Sequence, residues 1–332
     1  MATKFFEGTL AVMYKGKDDK GVAQGGPMFV LTEGIGRKMK PLAVMFAFCA
    51  LFSGLPVMQA NQLSESLYSV ILEPLGVPES RWVFLVIGLV IGGIVSLVIF
   101  GGIKRISQVS SKIVPFMVGF YFLMVVGIMV VYHDRLPSVF EAIFEGAFCW
   151  KAGFGAFTAV ALTGARRAMF VNEAGVGTAG MMHAEPVREG LVAMLGPAID
   201  SGLVCTLSAI PMIMAGLYST DSIKGLSIAL NTYDTLIPFA GRYLLEFVVI
   251  IFAFSTMFSY SYYGTMCTSY LWGTRNAQKY RYFYVATIVL ASVITLDVAV
   301  SLMDLAFALM AFPNMIAVFS LAPKVMKEAR RL

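Results

Sequence analysis

LPSVFEAIFEGAFCWKAGFGAFTAVALTGARRAMFVNEAGVGTAG, residues 136–180, is the stretch on which the fold turns. Its apolar run is interrupted by Lys151, Gly153 and Gly155, then closes on Arg166-Arg167 and the turn Asn172-Glu173-Ala174-Gly175. A spanning helix needs about 20 apolar residues, and the piece from Gly153 to Ala165 falls short, so neither half crosses a bilayer alone. Joined end to end, the halves cross once. A helix interrupted at membrane depth leaves N–H groups bare at one tip and C=O groups at the other. Lipid satisfies neither, so such breaks persist where they line a cavity. In secondary transporters these tips meet substrate and coupling ion, the positive N-terminal tip facing an anionic group. A helix lying along the membrane surface, followed by a short span, is the alternative.

The chain around this stretch is 58% hydrophobic and only 14% charged over 332 residues, against about 25% charged in soluble domains. That composition is one of an integral membrane protein. Cys49, Cys149, Cys205 and Cys267 are scattered singly, without a CxxC pair, and His133 and His183 are the only imidazoles. Neither a disulfide framework nor a zinc site follows. The net charge of +5 is dealt out in small groups between apolar runs, which is the pattern of membrane loops rather than of nucleic-acid binding.

Full spans are expected near Pro41 to Leu72, Trp82 to Ile103, Ile113 to Tyr132, the broken segment, Val187 to Leu217, Phe239 to Trp272, Tyr282 to Leu296 and Val300 to Leu321. Met1 to Tyr14 reads as the tail of a helix, with Lys4 and Glu7 inside it, and Lys15 to Gly26 as a charged loop. Short cytoplasmic loops are enriched in Lys and Arg. With Lys15 to Lys40 cytoplasmic, Lys104, Arg105, Lys112, Arg166, Arg167, Arg188, Arg275, Lys279, Arg281 and the tail cations from Lys324 to Arg331 fall on the same face. Arg81, Arg135, Lys151, Lys224 and Arg242 do not. The alternation requires the broken segment to cross once and leaves the C-terminus cytoplasmic.

Ionisable groups at membrane depth cost about 2.5–3.5 kcal/mol on insertion scales, so each needs a reason. Gln59, Asn61, Gln62 and Glu65 cluster on the first span, with Asn61 and Glu65 on one face. Asp200, followed by Ser201, Thr206 and Ser208, is a carboxylate with hydroxyls that suits a hard cation such as Na+. Interhelical hydrogen bonding is the alternative for both groups. Thr256 and Tyr260 lie one turn apart in the polar and aromatic run from Ser255 to Tyr263 and are placed as the floor of a small-molecule pocket, whereas Tyr262 and Tyr263 are assigned to an interfacial belt. Asp304 and Asn314 are weaker candidates. Gly175 to Gly180 fits GxGxxG but lacks the strand that a dinucleotide site needs. His183 has no nucleophile or metal ligand at catalytic spacing, and no membrane-embedded enzyme site is expected.

The strings MATKFFEGTLAVMY, GGPMFVLTEGIG, the QAN at Gln59, RRAMFVNEAGVGTA, PVREGLVAMLGPAIDSGLVCT, FAFSTMFSYSYYG with YLWG, and the FPNM at Phe312 resemble the sodium:alanine (alanine or glycine:cation) symporter family. The resemblance covers essentially the whole chain. It implies an all-α, leucine-transporter-like fold of two inverted five-helix repeats in one transmembrane domain. Residues 1–135 would be the remainder of the first repeat and residues 136–332 the second, with about eight full spans plus a partial one. It further implies a plasma-membrane protein that couples Na+ entry to uptake of a small neutral amino acid by alternating access, with no cofactor beyond Na+ as coupling ion. Gly153, Phe154, Gly155 and Thr158 at the break, with Thr256 and Tyr260, would contact substrate; Gln59, Asn61 and Asp200 would give ion or structural support.

The departures are also specific. Family members carry about two helices ahead of this point, including a broken one with a VGTGN-like segment, so the chain is expected to be N-terminally incomplete. A non-transporting remnant or partner-binding membrane component is the rival reading. Tyr260 stands where Trp is usual, Lys151 where a neutral polar residue is usual, and Glu189 and Thr265 replace Gln and Glu.

Overall fold

The computed structural model describes residues 1–148, 158, 161–164, 172–177, 186–217, 225–294 and 296–330. Apart from one small hairpin, the regular structure of these residues is helical, as an all-α reading requires. Helix α1 is Ala2–Met13. After the hairpin and a short turn-rich piece come α3 (Lys40–Ser53), α4 (Val57–Leu67), α5 (Arg81–Ile99), α6 (Gly102–Val131) and α7 (Leu136–Phe148), where α2 is the single turn Pro27–Phe29. Then follow α8 (Pro186–Pro197), a π-helical stretch Ala198–Val204, α9 (Cys205–Ala215), α10 (Leu226–Leu236), α11 (Gly241–Trp272), α12 (Thr274–Ala291) and α13 (Leu296–Ala329).

Helix α11 is the central post. It packs against α3, α4, α5, α6, α10 and α12, while α13 covers α3 and reaches α1. Buried Phe46, Met257, Tyr284, Ile288 and Met310 form the main apolar cluster, and Val125, Ile210, Leu230 and Tyr233 a second one around α6, α9 and α10. Outward-facing Leu97, Leu123, Val130 and Phe319 keep apolar side chains exposed. A soluble protein would not tolerate that much apolar surface, and lipid covers it at no cost. Six described helical segments are long and apolar enough to span: Arg37–Leu72, Arg81–Ile99, Gly102–Val131, Val187–Ala215, Gly241–Trp272 and Met303–Ala329. The chain is a multi-pass membrane protein.

The sequence-based boundaries need four corrections. The first span is broken: α3 stops at Ser53 and α4 starts at Val57, because Pro56 has no N–H to continue the ladder and sits as the N-cap of α4. The basic residues Lys104 to Lys112 are helical, not loop. At about 1.5 Å per residue, the 30 residues of α6 outrun a hydrocarbon core of about 30 Å, so the cationic first turns stand beyond it. Helix α12 begins at Thr274, eight residues earlier than expected, and so carries Arg275, Lys279 and Arg281. Helix α13 runs on through Lys324 and Lys327.

The charged loop has an internal design. Gly16 pairs with Gln24 and Lys17 with Ala23 in an antiparallel register. Asp18 Oδ1 accepts the amides of Lys20 (2.9 Å) and Val22 (2.8 Å), and Oδ2 accepts Gln24 Nε2 at 3.2 Å. Asp19 instead accepts from the amide and hydroxyl of Thr274, both at 3.0 Å, and thereby caps α12. The N-cap of α12 is Gly273, which has no side chain to do this. These hydrogen bonds, the Thr274 amide foremost, hold the Asp19 carboxyl below the usual aspartate range.

Candidate functional site

The turn Asn172-Glu173-Ala174-Gly175 gathers four elements. Asn172 Nδ2 donates to Ser201 Oγ on the π-helical stretch at 2.7 Å. Glu173 Oε1 accepts the Tyr260 hydroxyl of α11 at 2.8 Å. The Gly175 carbonyl accepts Asn314 Nδ2 of α13 at 2.7 Å, and the same nitrogen donates to Glu7 Oε1 of α1 at 2.5 Å. The backbone of Gly175 and Gly177 lies near enough to the Glu7 carboxyl to act on it electrostatically. Both glycines have positive φ, +89 and +90 degrees, a conformation that residues with a Cβ rarely adopt. A Cβ on Gly177 would overlap the Pro27 ring, so glycine is needed there for space as well as for its φ.

The burial of these groups is what makes the junction demanding. Glu7 is 4% exposed, Asn314 3% and Lys4 7%. A buried carboxylate must be paired and hydrogen-bonded, and Lys4, one turn away on α1, supplies the opposite charge. Asp200 lies beside the same junction, where Lys4 and Glu173 act on it electrostatically. Its expected hydroxyl partners do not converge with it. Ser201 is held by Asn172, Thr206 bonds the Gly202 carbonyl of its own helix, and Ser208 accepts from Tyr121, itself the acceptor of Tyr233.

The other expected residues divide. Gly153, Phe154 and Gly155, with Lys151 and His183, lie outside the described residues. Thr158 is helical and half-buried. Thr256 and Tyr260 do occupy one stretch of α11, with the Thr256 hydroxyl returned to the Phe252 carbonyl at 2.9 Å. Asn61 has a structural duty: its Nδ2 donates to the carbonyls of Ala291 (3.3 Å) and Ile294 (2.6 Å), closing the C-terminal end of α12. Gln59 is half-buried on the same helix, and its Oε1 has no hydrogen-bond partner among the described residues. Asp304 is exposed.

Tyr263 departs from the expectation of an interfacial belt, because α3 and α13 leave its ring a seat inside the bundle. Tyr263 lines a cavity of about 10 Å³ with Tyr260, Glu173, Ser53, Phe307 and Met310. Tyr262 lines a separate cavity of about 590 Å³ between α6, α11 and the hairpin, with Ser107, Ser110, Ser259 and Lys15. Sequence reasoning gave Glu7 and Glu173 no function. Glu7 was signalled by being ionisable inside an apolar run, and Glu173 by its place in the turn after the broken segment.

The Sodium:alanine symporter family profile matches residues 1–331. The chain belongs to the sodium:alanine symporter family. Members of that family are transporters, not enzymes. Among relatives, the sodium/alanine symporter AgcS of Methanococcus maripaludis is 34% identical over 345 residues, covering 99% of this chain and 74% of AgcS. The amino-acid carrier protein AlsT of Bacillus subtilis is 28% identical, covering 99% of this chain and 70% of AlsT. Family membership covers the α1, α11 and α13 residues that meet at the turn, since the match runs the length of the chain.

Proposed function

We propose that the protein is a Na+-coupled symporter that imports a small neutral amino acid, alanine or glycine, by alternating access. The observation that carries this reading is the match of residues 1–331 to a single symporter family, together with 34% identity to a sodium/alanine symporter. In this reading Thr256 and Tyr260, one turn apart on the central helix, form the side-chain wall of the pocket, and Gly153, Phe154, Gly155 and Thr158 meet the amino acid from the broken segment. Asp200, close to Lys4 and Glu173, supports the ion. Gln59 and Asn61 support the helices that frame the pocket. Residues 1–135, as the remainder of the first repeat, and residues 136–332, as the second, rock against one another, and Na+ occupancy biases the equilibrium between their arrangements. The membrane is the cell membrane, with the C-terminus cytoplasmic.

The test is uptake of labelled alanine and glycine by liposomes carrying the protein. Uptake should rise when Na+ is outside in excess and collapse when K+ replaces it. Uptake indifferent to the Na+ gradient overturns the proposal.

A further inference from the structure

We infer that Glu173 is a positioning residue that fixes the ring of Tyr260 and thereby sets the largest side chain the pocket accepts. The inference rests on the amino-acid symporter reading above. The phenolic O–H of Tyr260 donates to Glu173 Oε1 at 2.8 Å. That separation is within the usual range for an O–H···O hydrogen bond, so the hydroxyl's direction is fixed by the acceptor. Without it, a tyrosine ring still turns about its side-chain torsions.

The carboxylate can hold the ring because the backbone beneath it is itself held. Glu173 has φ +48 degrees, and Phe239 is the only other non-glycine residue with positive φ among those described. A left-handed conformation costs an L residue about 1–2 kcal/mol, so its surroundings must impose it. Here they do, on both sides: Asn172 is tied to Ser201 at 2.7 Å, and Gly175 to Asn314 at 2.7 Å. The acceptor for Tyr260 is therefore presented from a strained turn anchored to the π-helical stretch and to α13.

The space around the pair limits where the ring can go. The adjoining cavity, walled by Ala50, Ser53, Gly54, Tyr263, Phe307 and Met310, measures about 10 Å³, enough for one water and far too small for a phenol ring. Once the hydroxyl is released the ring cannot retreat inward. A ring that swings instead towards the side of α11 shared with Thr256, one turn away, changes the pocket wall. Glu173 thus reaches substrate only through the ring it holds.

The experiment compares wild type, Glu173→Gln, Tyr260→Phe and the double variant in two measurements. In liposomes, competition of alanine uptake by glycine, serine, valine and leucine gives a selectivity ratio for small over large side chains. That ratio should fall about tenfold in each single variant, the size of a one-methylene discrimination, and the double variant should lose no more than either single one. A residue that merely stabilised the fold would lower the amount of active protein and leave the ratio unmoved. In micelles, the thermal unfolding of the same four proteins should show non-additive losses.

Wild-type uptake with ratios unchanged in the single variants, or with losses that simply add, overturns the role of Glu173 while leaving the symporter reading intact. Wild type that takes up no amino acid overturns the symporter reading and the selectivity assignment with it.

Discussion

Asn314 and Glu7 are joined by a 2.5 Å hydrogen bond across 307 residues of chain, and both side chains are at least 96% buried. The same Asn314 nitrogen also holds the Gly175 carbonyl. One amide therefore secures the first helix, the last helix and the turn that presents Glu173. Replacing it removes the donor from two buried acceptors at once, at about 1–3 kcal/mol for each. Asn314→Ala should lower the thermal midpoint in micelles by several degrees, and Asn314→Leu, which fills the volume without donating, should not recover it. A midpoint within one degree of wild type, on the order of thermal-shift precision, would show that water replaces the amide without loss.

Glu246 offers an independent case on α11. It is 2% exposed, and its Oε1 accepts the hydroxyl of Ser66 at 3.0 Å, while Arg242, one turn before it, bonds the Ser69 carbonyl at 3.2 Å. Ser66→Ala should cost about 1–3 kcal/mol, since it removes the hydroxyl partner of a buried carboxyl oxygen. Ser96→Ala removes only an exposed bond to the Gly93 carbonyl and should change stability by less than about 0.5 kcal/mol. Equal effects of the two substitutions in thermal unfolding would refute the distinction.

Close approach, rather than polarity, fixes α1 on α8. Gly8 faces Ala193, and a Cβ on Gly190 would overlap the Thr9 hydroxyl and come within 2.7 Å of the Phe5 carbonyl. Small residues let membrane helices touch backbone to backbone. Gly190→Ala should cost about 1–3 kcal/mol through overpacking. Cross-linking of cysteines placed at Gly8 and Ala193, whose Cβ positions face each other, should weaken along with stability, and undiminished cross-linking would count against this account.

Asp19 gives the pH dependence a definite sign. Its carboxyl titrates lower in the folded protein than in the unfolded chain, so its contribution is fully present above the ordinary aspartate value of about 3.9 and is lost as pH falls through the lower folded value. Hydrogen exchange of the first turn of α12 should stay slow from neutral pH to about pH 4, once corrected for intrinsic rates, and quicken only below that. Asp19→Ala should show the quickened exchange at every pH. Protection that fades already between pH 6 and 5 would point to a different group.

Much of this was written in the chain. Long apolar runs identified the membrane class because a spanning helix must satisfy its own backbone in lipid, and that requirement leaves little room for other folds. The polar residues of α11 were visible for the same reason: Thr256 and Tyr260 interrupt an apolar pattern. Partner identity was not visible. Asn61 was legible as ion or structural support, and only the position of α12 shows that it serves the Ala291 and Ile294 carbonyls. Ser208 and Asp200 lie within two helical turns in sequence, yet the former faces Tyr121 and the latter Lys4 and Glu173. Local periodicity states which side of a helix is polar; it does not state which of several neighbouring helices will lie there. Boundaries failed where length competed with charge, as at Lys104 to Lys112, which a long helix carries past the membrane without ending.

The cap on α12 comes from a residue translated 255 positions before Thr274. During synthesis, the hairpin bearing Asp19 is complete long before its partner helix leaves the ribosome, and must wait in water while the intervening helices enter the bilayer. Asp18, which folds the hairpin upon itself through three bonds of its own, keeps that waiting segment in shape. Order of assembly is thereby built into the strap: its local bonds form first, and its attachment to α12 closes only when nearly all of the chain has been made.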